Sequence, residues 1–229
     1  MLIGGFIPFS LIDFPGKMTC VIFSQGCFFR CKFCHNKSLV LKEHFEEKIS
    51  VDEIFSFLIK RKNKLDAVTI SGGEPTQQRD LKDFIKKIKN LNFLVKLDTN
   101  GTNPKMLEDL LKENLLDYIA MDIKSSFKNY EKITNCKVDI SKIKNSIEII
   151  KKSKIDYEFR TTLIDKEHST NDILEIAKFL KNAKKYSLQT FIPQNAMDVS
   201  FQKKETISKE ILKNLKSQIE KYVETCLIK

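Results

Sequence analysis

The sequence is poor in arginine, although the chain carries an excess of positive charge. Of 40 basic residues only Arg30, Arg61, Arg79 and Arg160 are arginine, and 30 acidic residues leave a formal charge of +10. Dedicated nucleic-acid-binding proteins usually concentrate arginine and interleave aromatic residues on one face. The lysines are instead spread over most predicted helices, which favours a solvated surface and no nucleic-acid partner. Such a surface can still attract an acidic protein.

Long apolar runs and a secretion signal are also missing. No run approaches the roughly 18 residues of a membrane-spanning helix, and the first 16 residues have neither a basic n-region nor a small-residue cleavage site. We therefore expect a cytoplasmic protein without a membrane partner. In a reducing compartment the six cysteines, at positions 20, 27, 31, 34, 136 and 226, are not expected to form disulfides. Three of them lie within eight residues, which favours a metal site.

The chain also lacks internal repeats, low-complexity tracts and linkers rich in Pro, Gly or Ser. Its 229 residues therefore predict one domain over 1–229. Within it we expect an N-terminal loop over 1–18, a core over 19–192 and a C-terminal helix over 207–226.

Apolar β-type runs alternate with segments of helical periodicity. The predicted strands are Thr19–Ser24, Ala67–Ser71, Phe93–Asp98, Tyr118–Ile123, Tyr157–Leu163 and Ser187–Ile192. The predicted helices are Val51–Asn63, Arg79–Asn90, Pro104–Glu113, Ile140–Lys152, Ser169–Asn182 and Ser208–Cys226. Strands that each precede a helix predict an α/β fold with a parallel sheet. Six units are too few for an eight-stranded barrel, so an open doubly wound sheet and an incomplete barrel both remain.

A cysteine triplet follows the first predicted strand. Cys27, Cys31 and Cys34 have the spacing C-x3-C-x2-C, and no fourth cysteine lies nearby. Three thiolates can hold three irons of a cubane cluster and leave the fourth iron open for a small-molecule ligand. Zinc bound by these cysteines and His35 is the alternative, but adjacent Cys34 and His35 rarely converge on one tetrahedron. The spacing favours iron–sulfur over zinc and over inert buried cysteines.

Two motifs together resemble a known family. The cysteine triplet with Phe33 before its last cysteine, and the segment Ser71–Pro75 (SGGEP) after the second strand, resemble the signature and the GGE motif of radical S-adenosylmethionine (radical SAM) enzymes. Further segments are similar to the glycyl-radical-enzyme activases, and most of all to those of anaerobic ribonucleoside-triphosphate reductase, with the pyruvate formate-lyase activases as neighbours. These segments are Ser10–Gly16, Cys34–Asn36, Asp98–Gly101, Phe159–Thr162 and Leu188–Phe191.

The resemblance implies a partial (β/α)6 barrel and a defined chemistry. Cys27, Cys31 and Cys34 would hold a 4Fe–4S cluster whose open iron binds S-adenosylmethionine. Reductive cleavage would give methionine and a 5′-deoxyadenosyl radical, which would abstract a Cα hydrogen from a glycine of the partner reductase. Flavodoxin or ferredoxin would donate the electron. Two alternatives stay open: a radical SAM enzyme acting on a small molecule, like 7-carboxy-7-deazaguanine synthase, and a non-catalytic zinc-binding interaction module.

The resemblance also implies roles for residues near the strand ends. Phe33 and Asn36 would contact the adenosyl group, with plain core packing and a helix cap as the respective alternatives. Gly72, Gly73 and Glu74 would approach the methionine moiety, where the alternative is a tight turn. The remaining predicted cofactor-binding residues are Asp98 and Thr99 (with Asp122 around a monovalent cation), Asp122 (ribose), Lys124 (carboxylate) and Arg160 (cofactor or substrate loop).

Several of these roles have structural alternatives. Asp122 and Lys124 lie two apart on one strand and can form a simple salt bridge, and Arg160 can belong to a structural ion pair.

Phe28 and Phe29 are expected to shield the cluster, and His35 to hydrogen-bond a cluster sulfur. We expect His44 and His168 to face solvent. Cys136 and Cys226 are not expected to bind an auxiliary cluster.

Overall fold

A computed structural model describes all 229 residues and contains one eight-stranded sheet. The strands follow one another in chain order across the sheet. β1 runs antiparallel to β2, and every later neighbour is parallel. The strands are β1 (Ile3–Ser10), β2 (Thr19–Ser24), β3 (Ala67–Gly72), β4 (Leu94–Thr99), β5 (Tyr118–Asp122), β6 (Asp156–Leu163), β7 (Tyr186–Thr190) and β8 (Cys226–Ile228).

Nine α-helices accompany the strands. The five longer ones that follow β2 to β6 are the crossover helices α2, α3, α4, α6 and α7, while α9 precedes β8. The helices are α1 (Lys37–Val40), α2 (Val51–Lys60), α3 (Leu81–Asn90), α4 (Pro104–Lys112), α5 (Tyr130–Thr134), α6 (Ile140–Lys152), α7 (Thr170–Phe179), α8 (Val199–Gln202) and α9 (Lys209–Ile219). None of these helices has the length and apolar content needed to cross a membrane.

The six predicted parallel strands are confirmed as β2 to β7, with boundaries that shift by at most two residues. The partial-barrel prediction is confirmed as well. The strand order never reverses, as it would in a doubly wound sheet, and β1 and β8 do not pair to close the barrel. Two boundary predictions are wrong. Residues 1–18 are not a loop, because Ile3–Ser10 form the antiparallel edge strand, and the helix predicted over 207–226 ends at Ile219 and is followed by β8.

Both missed strands are edge strands with weak sequence signals. β1 reads IGGFIPFS, and its two glycines and one proline are residues that strands usually avoid. β8 has only three residues, and it follows α9 without a proline or glycine to mark the end of the helix. Because the helical periodicity continues over 211–223, the sequence does not indicate that the helix ends at Ile219 and that a strand follows.

Helix α6 shows why the crossover helices form where the periodicity predicts them. The Asp139 side chain caps its first turn by accepting a hydrogen bond from the Ser141 backbone N–H. Ile143, Ile147 and Ile150 share one helix face and are fully buried. Burying each such side chain contributes about 1.5–3 kcal/mol. The sheet and its helices thereby hold the carboxyl ends of the parallel strands in fixed positions, and the functional site lies there.

Candidate active site

One cavity lies at the carboxyl ends of β2 to β6. The structure brings all 13 predicted site residues to its wall: Cys27, Cys31, Phe33, Cys34, Asn36, Gly72, Gly73, Glu74, Asp98, Thr99, Asp122, Lys124 and Arg160. Phe29, Val40, Ser71 and Asn100 complete the lining. Ligands of α/β proteins characteristically bind at this end of a parallel sheet.

The cysteine loop, residues 27–36, is held by its own backbone and by β3. The Cys34 N–H donates to the Cys31 carbonyl at 3.0 Å, and the Arg30 guanidinium donates to the carbonyls of Cys27 and Phe29. Asn36 Nδ2 donates to the Gly72 carbonyl at 3.0 Å and ties the loop to the end of β3. The Asn36 side chain does not cap α1, so the helix-cap alternative is wrong.

The three thiols are the chemically distinctive part of the cavity. All are unpaired, and burial raises the pKa of Cys27 and of Cys31 to about 12, while the pKa of Cys34 is also raised by burial. Backbone and amide N–H groups approach the sulfurs, with Asn36 N at 3.4 Å from Cys34 Sγ and Asn100 Nδ2 at 3.7 Å from Cys27 Sγ. Buried thiols ionise when a metal binds them, and N–H donors stabilise the metal-bound sulfur. This donor set fits an iron–sulfur cluster.

The arrangement does not fit a single zinc ion. No three His, Cys, Asp or Glu side chains in the chain converge as ligands of one metal ion. His35 is not part of the cavity wall, because its Nε2 is 2.8 Å from the Ile192 carbonyl oxygen and its ring stacks on Phe191. In a cubane cluster each cysteine binds a different iron, so convergence on one point is not required.

The two glycines of the GGE motif are required by the neighbouring backbone. A Cβ on Gly72 would lie 2.4 Å from the Ser24 nitrogen, and one on Gly73 would lie 2.1 Å from the Gly26 carbonyl oxygen. Gly72 also has φ +114, which side-chain-bearing residues rarely adopt. These glycines therefore lie against the backbone at the end of β2 and against Gly26, the residue before the cysteine loop.

Glu74 is buried and fixes the loops that follow β3 and β4. Its Oε1 accepts from the Thr76 N–H at 3.1 Å, from the Thr76 hydroxyl and from the Thr99 hydroxyl at 2.7 Å. Its Oε2 accepts only from the Asn100 N–H, at 2.6 Å. Burial raises the pKa of Glu74, although these hydrogen bonds oppose the shift. The motif is thus more than a tight turn, since its carboxylate joins two strand ends.

Asn100 is a site residue that the sequence-based site prediction did not include. It contributes its backbone N–H to Glu74 and its side-chain amide to Cys27. Its signal was present, because it belongs to the Asp98–Gly101 segment that resembles the activases. One of its two contacts is made by the backbone, and such a contact cannot be predicted from side-chain chemistry.

Another part of the cavity wall consists of charged side chains: Asp98, Arg160, Asp122 and Lys124. Together with the buried Lys96, which does not line the cavity, they are here called the ion-pair row. Asp98 pairs with Lys96 and, at 3.5 Å, with Arg160 Nη1. Arg160 Nε donates to Asp122 Oδ1 at 2.7 Å, and Lys124 Nζ lies 3.1 Å from Asp122 Oδ2. Both structural alternatives are thus realised: Asp122 and Lys124 form a salt bridge, and Arg160 bridges two carboxylates.

The ion-pair row keeps its members charged despite burial. Burial alone would raise the pKa of Asp98 and Asp122, but Arg160 and the neighbouring lysines hold both pKa values below their ordinary value. Conversely, burial would lower the pKa of Lys124 and Arg160, but Asp122 raises both above their ordinary values. Every carboxylate oxygen of the row already has a cationic partner.

Two predictions about residues around the site are wrong. His168 does not face solvent: it is 9% exposed, its Nδ1 accepts from the Ile164 N–H, and its Nε2 therefore carries the proton that bonds the Lys124 carbonyl at 2.8 Å. Phe28 does not shield the cavity, since 75% of it is exposed, whereas Phe29 is buried in the cavity wall as predicted. The His44 prediction is confirmed, because its side chain is exposed.

The fold, the cysteine loop and the glycine motif together define a family. The sequence model described as the radical SAM superfamily matches residues 21–189. The chain belongs to the radical SAM superfamily. It is accordingly a radical enzyme of the oxidoreductase type that uses a 4Fe–4S cluster and S-adenosylmethionine, and the zinc-module alternative is wrong.

Two relatives are similar over nearly their whole length. The chain is 38% identical over 236 residues to a Methanocaldococcus jannaschii protein named "Putative glycyl-radical enzyme activating enzyme MJ1227", covering 100% of this chain and 95% of that protein. It is 28% identical over 232 residues to the pyruvate formate-lyase-activating enzyme of Clostridium pasteurianum, covering 95% of this chain and 94% of that enzyme.

A solved structure shows the same fold. Streptococcus suis SuiB bound to its precursor peptide SuiA aligns with a TM-score of 0.66 at 15% identity. The alignment covers 91% of this chain and 48% of SuiB. At this level of identity the likeness concerns the fold.

Proposed function

We propose that this radical SAM enzyme activates a glycyl radical enzyme, and that its partner is anaerobic ribonucleoside-triphosphate reductase. The observation that carries the first part is the 38% identity over the full chain to the M. jannaschii protein named above, supported by the relation to the C. pasteurianum activase. The second part rests on the five segments that resemble reductase activases most.

Cys27, Cys31 and Cys34 would hold the cluster in the cavity. When bound, the cluster supplies the electron that splits S-adenosylmethionine into methionine and the 5′-deoxyadenosyl radical. Phe29 and Phe33, which are 4% and 7% exposed, exclude water from the thiol side of the cavity. Asn36 and Asn100 orient N–H donors toward the sulfurs and keep the cysteine loop against β3 and β4.

The charged wall is suited to the amino-acid part of S-adenosylmethionine. Lys124 Nζ has three N–H donors and uses one on Asp122, so it retains donors for a carboxylate. Glu74 Oε2 accepts a single hydrogen bond and retains capacity for an ammonium group. Phe33 places its ring 5.8 Å from Lys124 Nζ and provides an apolar surface for the adenosyl group.

Asp98, Thr99, Asp122 and Arg160 complete the proposed cofactor site. Arg160 acts as a positioning residue, because it holds the Asp98 and Asp122 carboxylates that face the cavity. Asp122 would contact the ribose. We do not include the predicted monovalent cation in the proposed site, because Lys96, Arg160 and Lys124 already pair with both carboxylates. Exchange of potassium for choline should therefore change cleavage less than twofold. A cytoplasmic location likewise stays a prediction.

The test starts with anaerobic reconstitution, dithionite reduction and measurement of 5′-deoxyadenosine. We expect formation in the unaltered protein and none in Cys31→Ala. Purified anaerobic ribonucleoside-triphosphate reductase is then added, and electron paramagnetic resonance is used to detect a glycyl radical. A glycyl radical on pyruvate formate-lyase and none on the reductase would show that the proposed partner is wrong. Hydrogen abstraction only from the substrate of 7-carboxy-7-deazaguanine synthase would contradict the activase proposal.

A further inference from the structure

A groove separate from the active-site cavity adjoins the cysteine loop on the protein surface. Gly26 and Phe28, the two neighbours of Cys27, line one wall, and Phe29 is the single residue that it shares with the active-site cavity. The other walls are residues 77–78 after β3, the start of α4 at 102–105 and the start of α6 at 137–142. We call this feature the cluster-side groove.

The cluster-side groove is positively charged. Lys105, Lys137 and Lys142 line it and are exposed, and neither Lys137 nor Lys142 is in an ion pair. Asp139 is the one carboxylate in the lining, and it is engaged as the cap of α6 by the Ser141 N–H and hydroxyl. Such a surface favours an acidic partner and accelerates its approach at low salt.

The groove also offers contacts that a protein partner can complete. Phe28 is 75% exposed although it is one residue from Cys27. An exposed aromatic ring is a contact that a protein partner can cover, because aromatic residues are enriched in protein interfaces.

The position of the groove distinguishes between two macromolecular partners. Abstraction of a hydrogen atom requires near contact of the reacting atoms, at about 3–3.5 Å. Phe29 is 4% exposed and lines both the groove and the cavity, so its ring separates a glycine bound in the groove from the cavity. An electron can tunnel through an intervening side chain to the cluster. The groove therefore suits an electron carrier and does not suit the glycine loop.

We propose that the cluster-side groove is the docking surface for an acidic one-electron carrier protein, of the flavodoxin or ferredoxin class. The carrier is oxidised by one electron and the cluster is reduced by one, with no bond formed or broken. The proposal rests on the reductive chemistry of the family and is independent of which partner receives the radical.

The test uses two charge-reversal triples on the reconstituted enzyme. Lys105→Glu, Lys137→Glu and Lys142→Glu alter the groove, and Lys209→Glu, Lys213→Glu and Lys216→Glu on α9 are the matched control. Both triples change the net charge equally, and each breaks one i,i+4 ion pair. Binding of a purified flavodoxin is measured by calorimetry at low and high salt, and cluster reduction by the reduced flavodoxin is followed by stopped flow.

We expect the groove triple to weaken flavodoxin binding about tenfold or more and to reduce its salt dependence, whereas the control binds normally. Cleavage supported by dithionite should be equal in all three proteins. Equal weakening by both triples, or by neither, would overturn the proposal. So would normal flavodoxin binding combined with poor dithionite-driven activation of the reductase, since the groove would then belong to that partner. If no glycyl radical forms, the proposed function fails, but the flavodoxin-binding measurement still tests the docking proposal.

Discussion

The two walls of the active-site cavity are built by different means. The thiol wall comes from one loop of ten residues and from two glycines that pack against the residues just before it. The ion-pair row comes from the ends of β4, β5 and β6, with members 64 residues apart at the extremes, from Lys96 to Arg160. The first wall is determined by local sequence, and the second exists only when three strands adopt one register. Substitutions should therefore abolish the function of the first wall and weaken that of the second.

The thiol wall should show the largest effects. Cys27→Ala, Cys31→Ala and Cys34→Ala each remove one of three ligands, so we expect loss of the cluster and of S-adenosylmethionine cleavage. Iron and sulfide per chain and 5′-deoxyadenosine yield are the measurements. Cys136→Ala and Cys226→Ala are the matched controls and should retain iron. Iron loss in either control would contradict a site with three protein ligands.

Gly73→Ala should show the second largest effect, on folding stability. The added Cβ would lie 2.1 Å from the Gly26 carbonyl oxygen, and relieving this clash should cost about 3 kcal/mol. Gly16→Ala is the control, because Gly16 has φ +69 but no atom within 4 Å of an added Cβ. Its cost should be about 1 kcal/mol, from backbone strain alone. Denaturant unfolding under anaerobic conditions measures both, and equal costs would show that the close contact of Gly73 with Gly26 is unimportant.

Arg160→Met tests the ion-pair row and should lower the free energy of unfolding by about 2 kcal/mol. This is less than the loss expected for a fully buried ion pair, because Lys96 and Lys124 remain as partners of the two carboxylates. Asp98 and Asp122 have lowered pKa values in the folded state. They therefore stabilise the fold above their unfolded pKa, and this contribution is lost as the pH falls through their folded pKa. Without Arg160 their folded pKa values rise, so the midpoint of acid unfolding should move to higher pH. Arg61→Met, at an exposed position, should leave the midpoint unchanged.

His168→Ala should have the smallest effect, because this residue acts on the backbone of Lys124. Loss of the Nε2–H donor to the Lys124 carbonyl should raise the KM for S-adenosylmethionine about threefold, with kcat nearly unchanged. His168→Gln, which keeps an N–H donor, should recover part of the loss. His44→Ala is the exposed control. A fall in kcat with an unchanged KM would contradict a role in positioning Lys124.

Most of the site could be predicted because its parts follow strands. The six parallel strands have strong apolar patterns, and parallel strands place the residues after them at one edge. That argument, together with the resemblance, predicted one shared site for residues as far apart in the sequence as Cys27 and Arg160. It could not show that Asp98 and Asp122 share Arg160, because this depends on the register of three strands. It also could not place His168, whose polar neighbours in the sequence suggested solvent.

The parts that were missed have physical reasons in common. β1 contains glycine and proline, and β8 is too short to show an alternation, so tertiary pairing decides both. Phe28 and Phe29 are adjacent and chemically identical, yet one is exposed and the other buried. Their different exposure depends on the path of the loop, which the sequence does not reveal. Asn100 acts partly through its backbone, which carries no side-chain signature.

The ion-pair row also bears on how the chain selects its fold. Asp122 lies directly opposite Arg160 in the pairing of β5 with β6, and Asp98 lies opposite Ala120 in the pairing of β4 with β5. Sliding β6 by one residue would turn Arg160 into the apolar layer and bring the fully buried Phe159 toward the charges. Chains that collapse in a wrong alignment therefore leave a guanidinium and two carboxylates unpaired in the interior. The ion-pair row therefore favours the native register of β4, β5 and β6 over a shifted one.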